Sequence, residues 1–432
     1  MSSANTLFKN FDTVAITENR KDALDILSAG LSAIDTETAV EKAVVVNDGV
    51  LHVGGKEYRL NDFQSIKVVG FGKASCEAAY ALERKIGSQI ADSAVISNFE
   101  KTCDTGIKTY VGTHPKPTPQ NVDLTEKIVS LTKDLTHEDL VFVIVSGGGS
   151  SLLCWPMEEC EQGISLYDKF LTTGGTIDEI NIVRKHISLI KGGGLAKLLY
   201  PATVIGLIFS DVPGGDYSLI ASGPTYKDLS MVSDAQSVID KYNLGTFNLL
   251  ETPKEDEYFK KVHNVPVVSN TLALDAMRKR GEELGYVVSV ISSALYEYSK
   301  ELVRMFQSTA STKSVILGGG ELRMVVNSFP QNNGGGRNIF TSLVALETIR
   351  DEEVFISGAS DGKDNSDALG AIADVHTIQK AKGLGIEILP YLQAFDAYHF
   401  FEHTEDLLFT GRTGANIADL FLLLSNDRKS SE

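Results

Sequence analysis

Residues 203–216 read TVIGLIFSDVPGGD, an apolar run that ends in a turn of aspartates and glycines. The run predicts a buried strand, and the turn residues mark its carboxyl end. The preceding residues 181–194 have apolar positions at helical spacing, a basic opposite face and a glycine triplet. Basic side chains suit an anionic ligand, while Asp211 and Asp216 suit a metal ion or a general base. The basic residues of this stretch are Arg184, Lys185, His186 and Lys191, of which the first and last should share one helix face.

Other strands of the chain also end in glycine-rich or polar turns. Predicted strands alternate with helices from about residue 65 onward, which is typical of a mostly parallel α/β sheet. Ligands bind beyond the carboxyl ends of parallel strands, so the turns together predict a large ligand surface. One such turn alone would be ordinary, since glycine is common after strands. The turns are residues 70–75, 146–151, 210–216, 318–321, 357–364 and 410–416.

The length of 432 residues predicts two domains. A charged segment at residues 248–261 has little core-building character, so we place the first domain at residues 1–250 and the second at 262–432. An amphipathic helix is predicted over residues 20–34, and a hairpin with an Asn-Asp-Gly turn over residues 44–60.

The composition excludes several functional classes. The formal net charge of −17 argues against general nucleic-acid binding, which favours a basic surface. The four cysteines show no metal-binding spacing and predict free thiols in a reducing compartment. The first 21 residues lack the apolar core of a signal peptide, and no apolar run reaches the roughly 18 residues of a membrane span. We expect a cytoplasmic protein with no nucleic-acid partner and no membrane partner.

Two turns are suited to phosphate. The turn GFGKAS at residues 70–75 places Lys73 before a predicted helix, where free backbone amides favour anions. Its spacing matches neither a Walker A loop nor a dinucleotide fingerprint. The turn SGGGSS at residues 146–151 offers backbone amides and hydroxyl groups to one cluster of oxygen atoms. The residues predicted to bind phosphate there are Ser146, Gly147, Gly148, Gly149 and Ser150.

The turn at residues 357–364 allows two interpretations. Asp361, Asp364 and Asp367 are acidic residues that only loosely match a calcium loop, and a polar turn explains them equally well. Gly358-Ala-Ser360-Asp-Gly362 fits the G-x-S-x-G pattern of a serine hydrolase. The acidic, turn-rich continuation is a poor helix start, so we interpret this match as chance.

The motifs GFGKAS, SGGGSSLL, N-x-VRKH-x-S-x-IKGG, SDV-x-GGD, IASGPT, GGE, GGGRN, SDGKD and TGRTGAN occur in the order seen in class II glycerate kinases, which residues 20–424 resemble. The resemblance implies ATP- and Mg²⁺-dependent phosphorylation of D-glycerate, most often at the 2-hydroxyl. It implies a larger N-terminal Rossmann-like, doubly wound domain, a smaller C-terminal α/β domain called MOFRL, and an active site in the cleft between them. The sequence departs from the family at Gly215, where an aspartate is usual, and at Arg412 and Ala415.

The resemblance ties Lys73, Asp216 and Arg337 to the active site. We expect Lys73 and Arg184 to hold the substrate carboxylate and Asp216 to orient or deprotonate the attacking hydroxyl. Arg337 is expected to stabilise the transferring phosphoryl group. The other residues predicted to bind substrate or phosphate are Lys191, Glu321 and Asn338.

Mg²⁺ or another divalent cation is expected to bind mainly to the ATP phosphates. The candidate protein ligands are Asp211 and Asp361. The expected partners are the small molecules D-glycerate and ATP, and the chain is expected to be a monomer or a homodimer.

Three other functions stay open at this point. One is a glycerate kinase that forms 3-phosphoglycerate, and another is a hydroxypyruvate reductase, against which the missing dinucleotide fingerprint argues. The third is a non-catalytic nucleotide or anion sensor, against which the presence of Lys73 and Asp216 argues.

Overall fold

A computed structural model describes residues 7–99, 106–170, 173–210, 212, 215–324, 334–414 and 417–426. These residues pack into two compact units. The N-terminal unit contains residues 36–210 and 216–267, and the C-terminal unit contains residues 7–35 and 268–426. Each unit has its own six-stranded sheet. Within the described ranges, no helix combines the length and the apolar character needed to cross a membrane.

Strands and helices alternate through most of the chain. The strands are β1 (Val44–Asn47), β2 (Val50–Val53), β3 (Lys56–Arg59), β4 (Ser65–Phe71), β5 (Ile90–Ser97), β6 (Thr109–Val111), β7 (Asp139–Ser146), β8 (Thr203–Phe209), β9 (Val262–Val268), β10 (Val287–Val290), β11 (Ser314–Gly320), β12 (Glu353–Ala359), β13 (Gly370–Asp374), β14 (Leu407–Leu408) and β15 (Asp419–Ser425). The helices are α1 (Phe11–Val14), α2 (Glu18–Ala33), α3 (Thr36–Ala43), α4 (Ser75–Ile86), α5 (Pro119–Leu131), α6 (Gly149–Leu152), α7 (Met157–Phe170), α8 (Ile177–His186), α9 (Gly194–Leu199), α10 (Val232–Tyr242), α11 (Asn270–Glu283), α12 (Ser299–Thr309), α13 (Arg337–Ala345), α14 (Val375–Leu384), α15 (Ile388–Ala394) and α16 (Ala397–Thr404).

The main sheet of the N-terminal unit has the strand order β6-β5-β4-β7-β8-β9. Strand β4 pairs in parallel with β5 and β7, β5 with β6, and β7 with β8. Strand β7 is buried along its whole length, as expected for a central strand covered on both faces. This confirms the prediction of an α/β fold with a mostly parallel sheet. The carboxyl ends of β4, β7 and β8 therefore lie side by side at one edge.

The predicted hairpin is confirmed and has a third strand. Strands β1, β2 and β3 form a separate antiparallel sheet. Asp48 and Gly49 connect the first two strands with φ angles of +49° and +75°. Such paired positive angles are typical of tight two-residue turns between antiparallel strands.

The C-terminal unit has a mixed sheet with the order β10-β11-β15-β12-β13-β14. Strand β10 pairs in parallel with β11, whereas β15 pairs antiparallel with both β11 and β12. The last strand along the chain thus lies in the middle of the sheet. Its first residue, Asp419, is placed opposite Gly320 and Ala359, at the glycine-rich ends of the two neighbouring strands.

Residues 7–35 belong to the C-terminal unit, whereas the division proposed from sequence put them in the first domain. The physical reason is the side chain of Arg20, which is fully buried. Its guanidinium donates to both carboxylate oxygens of Asp374, at 2.7 and 2.6 Å, and to Asp406 at 2.7 Å. Helix α2 also carries Asp25, which accepts hydrogen bonds from Arg280 of α11. Strand β9, which the sequence assigned to the second domain, completes the N-terminal sheet.

Candidate active site

Two loops at the carboxyl edge of the N-terminal sheet are hydrogen-bonded to each other. The backbone N–H of Lys73, after β4, donates to the carbonyl of Gly147, after β7, at 2.9 Å. The hydroxyl of Ser146 accepts a hydrogen bond from the backbone N–H of Ala74 at 3.1 Å and lies 3.2 Å from the hydroxyl of Ser75. The loops therefore form one surface, and the buried Ser146 hydroxyl holds them together.

Gly72 makes this close approach possible. Its φ is +121°, and a Cβ atom at this position would lie 2.1 Å from Ser146 Oγ. Any side chain would therefore push the two loops apart. The close packing of the two loops therefore requires glycine at this position, independently of ligand binding.

Lys73 and Gly148 form the open part of this surface. Gly148 has a φ of +80°, and the Cε atom of Lys73 lies 3.4 Å from the position that a Cβ atom of Gly148 would occupy. The Lys73 side chain is exposed, and within the described ranges no hydrogen bond or ion pair engages its ammonium group. A free ammonium beside a glycine turn is available to bind an anion.

A third loop is joined to this surface through serine side chains. The hydroxyl of Ser150 lies 3.1 Å from that of Ser222, which donates to Asn181 Oδ1 of α8 at 2.9 Å. Ala221 and Ser222 both have left-handed backbone angles, with φ of +51° and +60°. Non-glycine residues in this region cost about 1–3 kcal/mol each and cluster at functional sites. Strain at this loop is consistent with a ligand-binding role for the neighbouring turn.

Three of the basic residues that the sequence singled out near α8 have hydrogen-bond or ion-pair partners within the unit. Nζ of Lys185 donates to Asp228 Oδ1 at 3.1 Å. Lys191 is 3% exposed and forms a buried ion pair with Glu159. His186 is buried, with both ring nitrogens within hydrogen-bonding distance of protein oxygen atoms. These side chains stabilise the packing of α8.

Arg184 differs from these cations. Its guanidinium has no described hydrogen bond or ion pair, and burial lowers its pKa. Helix α8 ends at His186, so the prediction that Arg184 and Lys191 share a helix face is wrong. Both side chains nevertheless line one small pocket together with Ser150. The structure thus brings Arg184 next to the predicted phosphate turn, while the charge of Lys191 is already neutralised.

Asp216 is exposed and lies at the start of the short 3₁₀ helix Tyr217–Ser222. Its Oδ1 atom accepts hydrogen bonds from the backbone N–H and the hydroxyl of Ser218, at 3.0 and 2.6 Å. It also helps to raise the pKa of Tyr226 to about 12, after the larger effect of burial. One carboxylate oxygen therefore caps a helix while the other remains available. Asp211 lies outside the described residues.

The C-terminal unit holds a second polar cluster around Arg337. The guanidinium donates to Asp419 Oδ2 at 2.5 Å and to Glu321 Oε1 at 2.8 Å. Burial acts to lower the pKa of Arg337, but the two carboxylates raise it above its ordinary value. Arg337 lines a cavity of about 430 Å³ together with Asp361, Lys363 and other side chains.

Asn338 organises the interior of this cluster. Its Nδ2 atom donates to Asp364 at 3.1 Å and to Asp419 at 2.9 Å, while its Oδ1 accepts from the hydroxyl of Ser357 at 2.7 Å. Burial raises the pKa of Asp364 to about 6, and burial also raises the pKa of Asp419. Asn338 was predicted to bind substrate or phosphate, yet its amide is fully occupied. It positions Asp364 and also Asp419, one of the two carboxylates that hold Arg337.

Asp361 forms the polar turn that the sequence offered as an alternative to a metal site. Its Oδ1 accepts from the backbone N–H of Lys363 at 3.0 Å. Within the described ranges, no group of three or more histidine, cysteine, aspartate or glutamate residues is arranged to bind a metal ion. No described hydrogen bond reaches Asp361 Oδ2, which leaves room for a single metal–oxygen contact.

Ser360 does not have the environment of a hydrolase nucleophile. Its side chain is buried, and its Oγ accepts from the backbone N–H of Ile417 at 2.9 Å. Turns follow it along the chain, rather than the immediate helix that a nucleophile elbow requires. The interpretation of this motif as a chance match fits these contacts.

Two residues that the structure places at these clusters were not predicted from the sequence. His114 lies beside Lys73 at the glycine turn of the N-terminal unit. Asp419 binds Arg337 in the C-terminal unit. Asp419 follows the quoted TGRTGAN motif by only three residues, so that motif pointed to its neighbourhood. His114 follows a strand of only three residues and carries no glycine-rich signal.

Family models match both parts of this chain. The domain of unknown function DUF4147 matches residues 22–250, which is more than half of the sequence, and the MOFRL family matches residues 314–419. The chain belongs to the two-domain glycerate kinase family. It is 30% identical to the glycerate 2-kinase of Pyrococcus horikoshii, over 95% of this chain and 98% of that protein.

Solved structures of the glycerate kinase family share its fold. A crystal structure of a Pyrococcus horikoshii protein matches with a TM-score of 0.85 and 28% identity, over 95% of this chain and 99% of that chain. The crystal structure of a glycerate kinase from Thermotoga maritima matches with a TM-score of 0.81 and 29% identity, over 94% and 99% of the two chains. The family and the α/β fold with a C-terminal MOFRL region are therefore as the sequence predicted.

Proposed function

We propose that this chain transfers the γ-phosphoryl group of ATP to the 2-hydroxyl of D-glycerate, giving 2-phosphoglycerate and ADP. The observation that carries the proposal is the presence of cations without a described charge partner near the glycine turn of the N-terminal unit. Lys73 and Arg184 have no described charge partner, although the neighbouring Lys185 and Lys191 do. The glycerate 2-kinase named among the relatives supports the same activity.

The N-terminal unit supplies groups for both anionic reactants. Backbone amides of the turn at residues 147–149 suit phosphate oxygens. Lys73 and Arg184 suit a small carboxylate. Charge-assisted hydrogen bonds to the carboxylate would replace the hydrogen bonds to water that each cation loses on binding. Asp216 keeps Oδ2 free of described hydrogen bonds while Oδ1 is fixed by Ser218. A carboxylate fixed in this way orients the attacking hydroxyl of the substrate.

Arg337 serves the same reaction from the C-terminal unit. Its guanidinium is held in place by Asp419 and Glu321 before any ligand binds. The buried contact with Asp419 fixes the orientation of the guanidinium plane. The exposed Glu321 is the partner that phosphoryl oxygens can replace. A preoriented arginine stabilises the charge that spreads over the phosphoryl oxygens in the transition state.

A divalent metal ion fits the donor set that the chain offers. Mg²⁺ takes one or two carboxylates and fills its other positions with phosphates and water, so it does not require a cluster of protein ligands. Asp361, with one oxygen free of described hydrogen bonds, or Asp211 is the residue that would hold it. The bound ion would neutralise charge on the β- and γ-phosphate oxygens.

The test is ADP formation by the purified protein with ATP, Mg²⁺ and D-glycerate. We expect ADP release that depends on D-glycerate, with L-glycerate as the matched control. NADH with hydroxypyruvate is assayed in parallel, because a reductase would oxidise NADH and release no ADP. NADH oxidation, or ADP release that is indifferent to D-glycerate, would contradict the proposal.

A further inference from the structure

His114 lies at the open end of the phosphate surface, although no motif marks it. The imidazole Cδ2 and Nε2 atoms lie 3.0 and 3.1 Å from the position that a Cβ atom of Gly148 would occupy. Lys73 Cε lies 3.4 Å from the same position. The two side chains therefore flank one glycine, and a methyl group there would crowd the His114 ring and touch Lys73. Gly148 keeps open the space that His114 and Lys73 share.

The turn that carries His114 is held firmly against the glycine turn. Asn121 of α5 is fully buried, and its Oδ1 accepts from the backbone N–H of Thr113 at 2.9 Å. Its Nδ2 donates to the carbonyls of Thr113 and Ser151, at 2.9 and 2.7 Å. One amide side chain thus ties the residue before His114 to the end of the phosphate turn. The position of the imidazole follows from this connection.

The polar groups of His114 are unused within the described chain. No described hydrogen bond reaches either ring nitrogen, although the residue is half-buried. The end of the neighbouring strand β5 also carries two buried oxygen atoms, Ser97 Oγ and Asn98 Oδ1, for which the described residues provide no hydrogen-bond partner. The carbonyl of Ser97 accepts from the backbone N–H of Gly112 at 2.8 Å, which places this strand end beside the same turn. Buried polar atoms rarely stay unpaired, so the unused ring nitrogens of the half-buried His114 are available to a polar ligand.

The surroundings of His114 favour the neutral form of its ring. Burial lowers its pKa, and the positive charge of Lys73 lowers the pKa further. Lys116 of the same turn is paired with Asp168, and the glycine turn opposite contributes no titratable side chain. A neutral imidazole beside a lysine can accept a proton while the lysine holds an anion.

We propose that His114 is the proton acceptor of the reaction, beside a substrate carboxylate that is bound by Lys73. In this step the substrate hydroxyl oxygen bonds to the γ-phosphorus of ATP. The bond from that phosphorus to the β,γ-bridging oxygen breaks, and its electron pair leaves with ADP. The hydroxyl proton passes to the unprotonated ring nitrogen of His114, while Asp216 orients the hydroxyl. This inference rests on the proposed phosphorylation of D-glycerate.

The test compares His114→Ala and His114→Gln with the unchanged protein over a range of pH. Proton acceptors contribute about 10²–10⁴-fold, so both variants should lose kcat by that order. The unchanged protein should lose activity at acidic pH because His114 becomes protonated. This acidic loss of activity should be absent from both variants. Glutamine retains hydrogen-bonding groups but takes no proton at these pH values. Recovery of kcat in His114→Gln, or an acidic limb that persists in His114→Ala, would overturn the proposal.

His137→Ala is the matched control, because His137 is an exposed histidine on a surface loop of the same unit. It should leave kcat and the pH profile unchanged. Histidine NMR of the unchanged protein gives a readout that needs no variant to fold. Saturating D-glycerate should shift the titration of one half-buried histidine, and that signal should be missing in His114→Gln. No shift on saturation would also overturn the proposal, whereas an unchanged protein that never phosphorylates D-glycerate would defeat the proposed function itself.

Discussion

The two polar clusters of this molecule hold their cations in opposite ways. In the N-terminal unit, Lys73 and Arg184 have no described partner. In the C-terminal unit, Arg337 is bound by Asp419 and Glu321 before any ligand arrives. In the proposed reaction, the first arrangement leaves charge available for binding a substrate, and the second fixes a guanidinium for stabilising a transition state. The surroundings of each cation thus set the step that we propose for it.

The largest expected effect is at Arg337. Arg337→Ala should lower kcat by about 10³-fold or more, since an arginine on a transferring phosphoryl group contributes that much. It should also lower the free energy of unfolding by about 3 kcal/mol, because Asp419 is left as an unpaired buried charge. Steady-state kinetics and chemical denaturation measure the two effects.

The double variant Arg337→Ala/Asp419→Asn separates these effects. It removes the unpaired charge, so stability should recover while kcat stays low. Recovery of kcat together with stability would mean that Arg337 acts only on the fold.

A contrast between two lysines tests the N-terminal side of the comparison. Lys73→Met removes a free cation and should lower kcat/KM by about 10²-fold with an unchanged unfolding free energy. Lys191→Met leaves Glu159 buried and unpaired and should cost about 3 kcal/mol of stability. Thermal and urea denaturation should therefore show that Lys73→Met is as stable as the unchanged protein and that Lys191→Met is less stable. A destabilised Lys73→Met with normal kinetics would reverse the assignment.

Asp216 combines a structural and a proposed chemical role, and two substitutions separate them. Asp216→Asn keeps an oxygen for the cap on Ser218, so stability should hold while kcat falls by about 10²-fold. Asp216→Ala should lose the cap as well, at a cost of about 1 kcal/mol. Near-normal kcat in Asp216→Asn would remove this carboxylate from the reaction.

The smallest expected effect is the pH dependence that Asp364 imposes on stability. Its pKa of about 6 in the folded protein lies above the ordinary value of an aspartate, so folding favours the protonated carboxyl. The stability that it contributes is present at low pH and is lost as the pH rises through about 6. Unfolding free energies should fall by about 1 kcal/mol between roughly pH 5 and 7, relative to the same series for Asp364→Asn. Parallel pH curves for the two proteins would contradict this assignment.

The sequence predicted the α/β class, the strand-end loops and the family, because these depend on local patterns. Glycine and polar residues after an apolar run mark a strand end wherever the strand lies in the sheet. The helix over residues 20–34 was also visible in the apolar spacing, and the structure has it as Glu18–Ala33. Its place in the C-terminal unit was not visible, because the partners of Arg20 lie more than 350 residues away along the chain.

The sequence also could not predict which cations are paired with a carboxylate in the folded chain. Arg184 and Lys191 look alike in the sequence, and only the position of Glu159 neutralises one of them. Asn338 belongs to a motif that suggested ligand contact, yet its amide positions two carboxylates. His114 carried no motif because its position depends on Asn121 and on the glycine turn after β7. Such roles follow from contacts between distant segments.

The most direct test of the account is the identity of the phosphorylated product. The purified protein is incubated with ATP, Mg²⁺ and D-glycerate, and the product is examined by proton–phosphorus correlation NMR. We predict that the new phosphorus signal couples to the single proton on carbon 2, which identifies 2-phosphoglycerate. Coupling to the two protons on carbon 3 would contradict the proposed site of transfer, and the absence of any phosphorylated glycerate would contradict the proposed function.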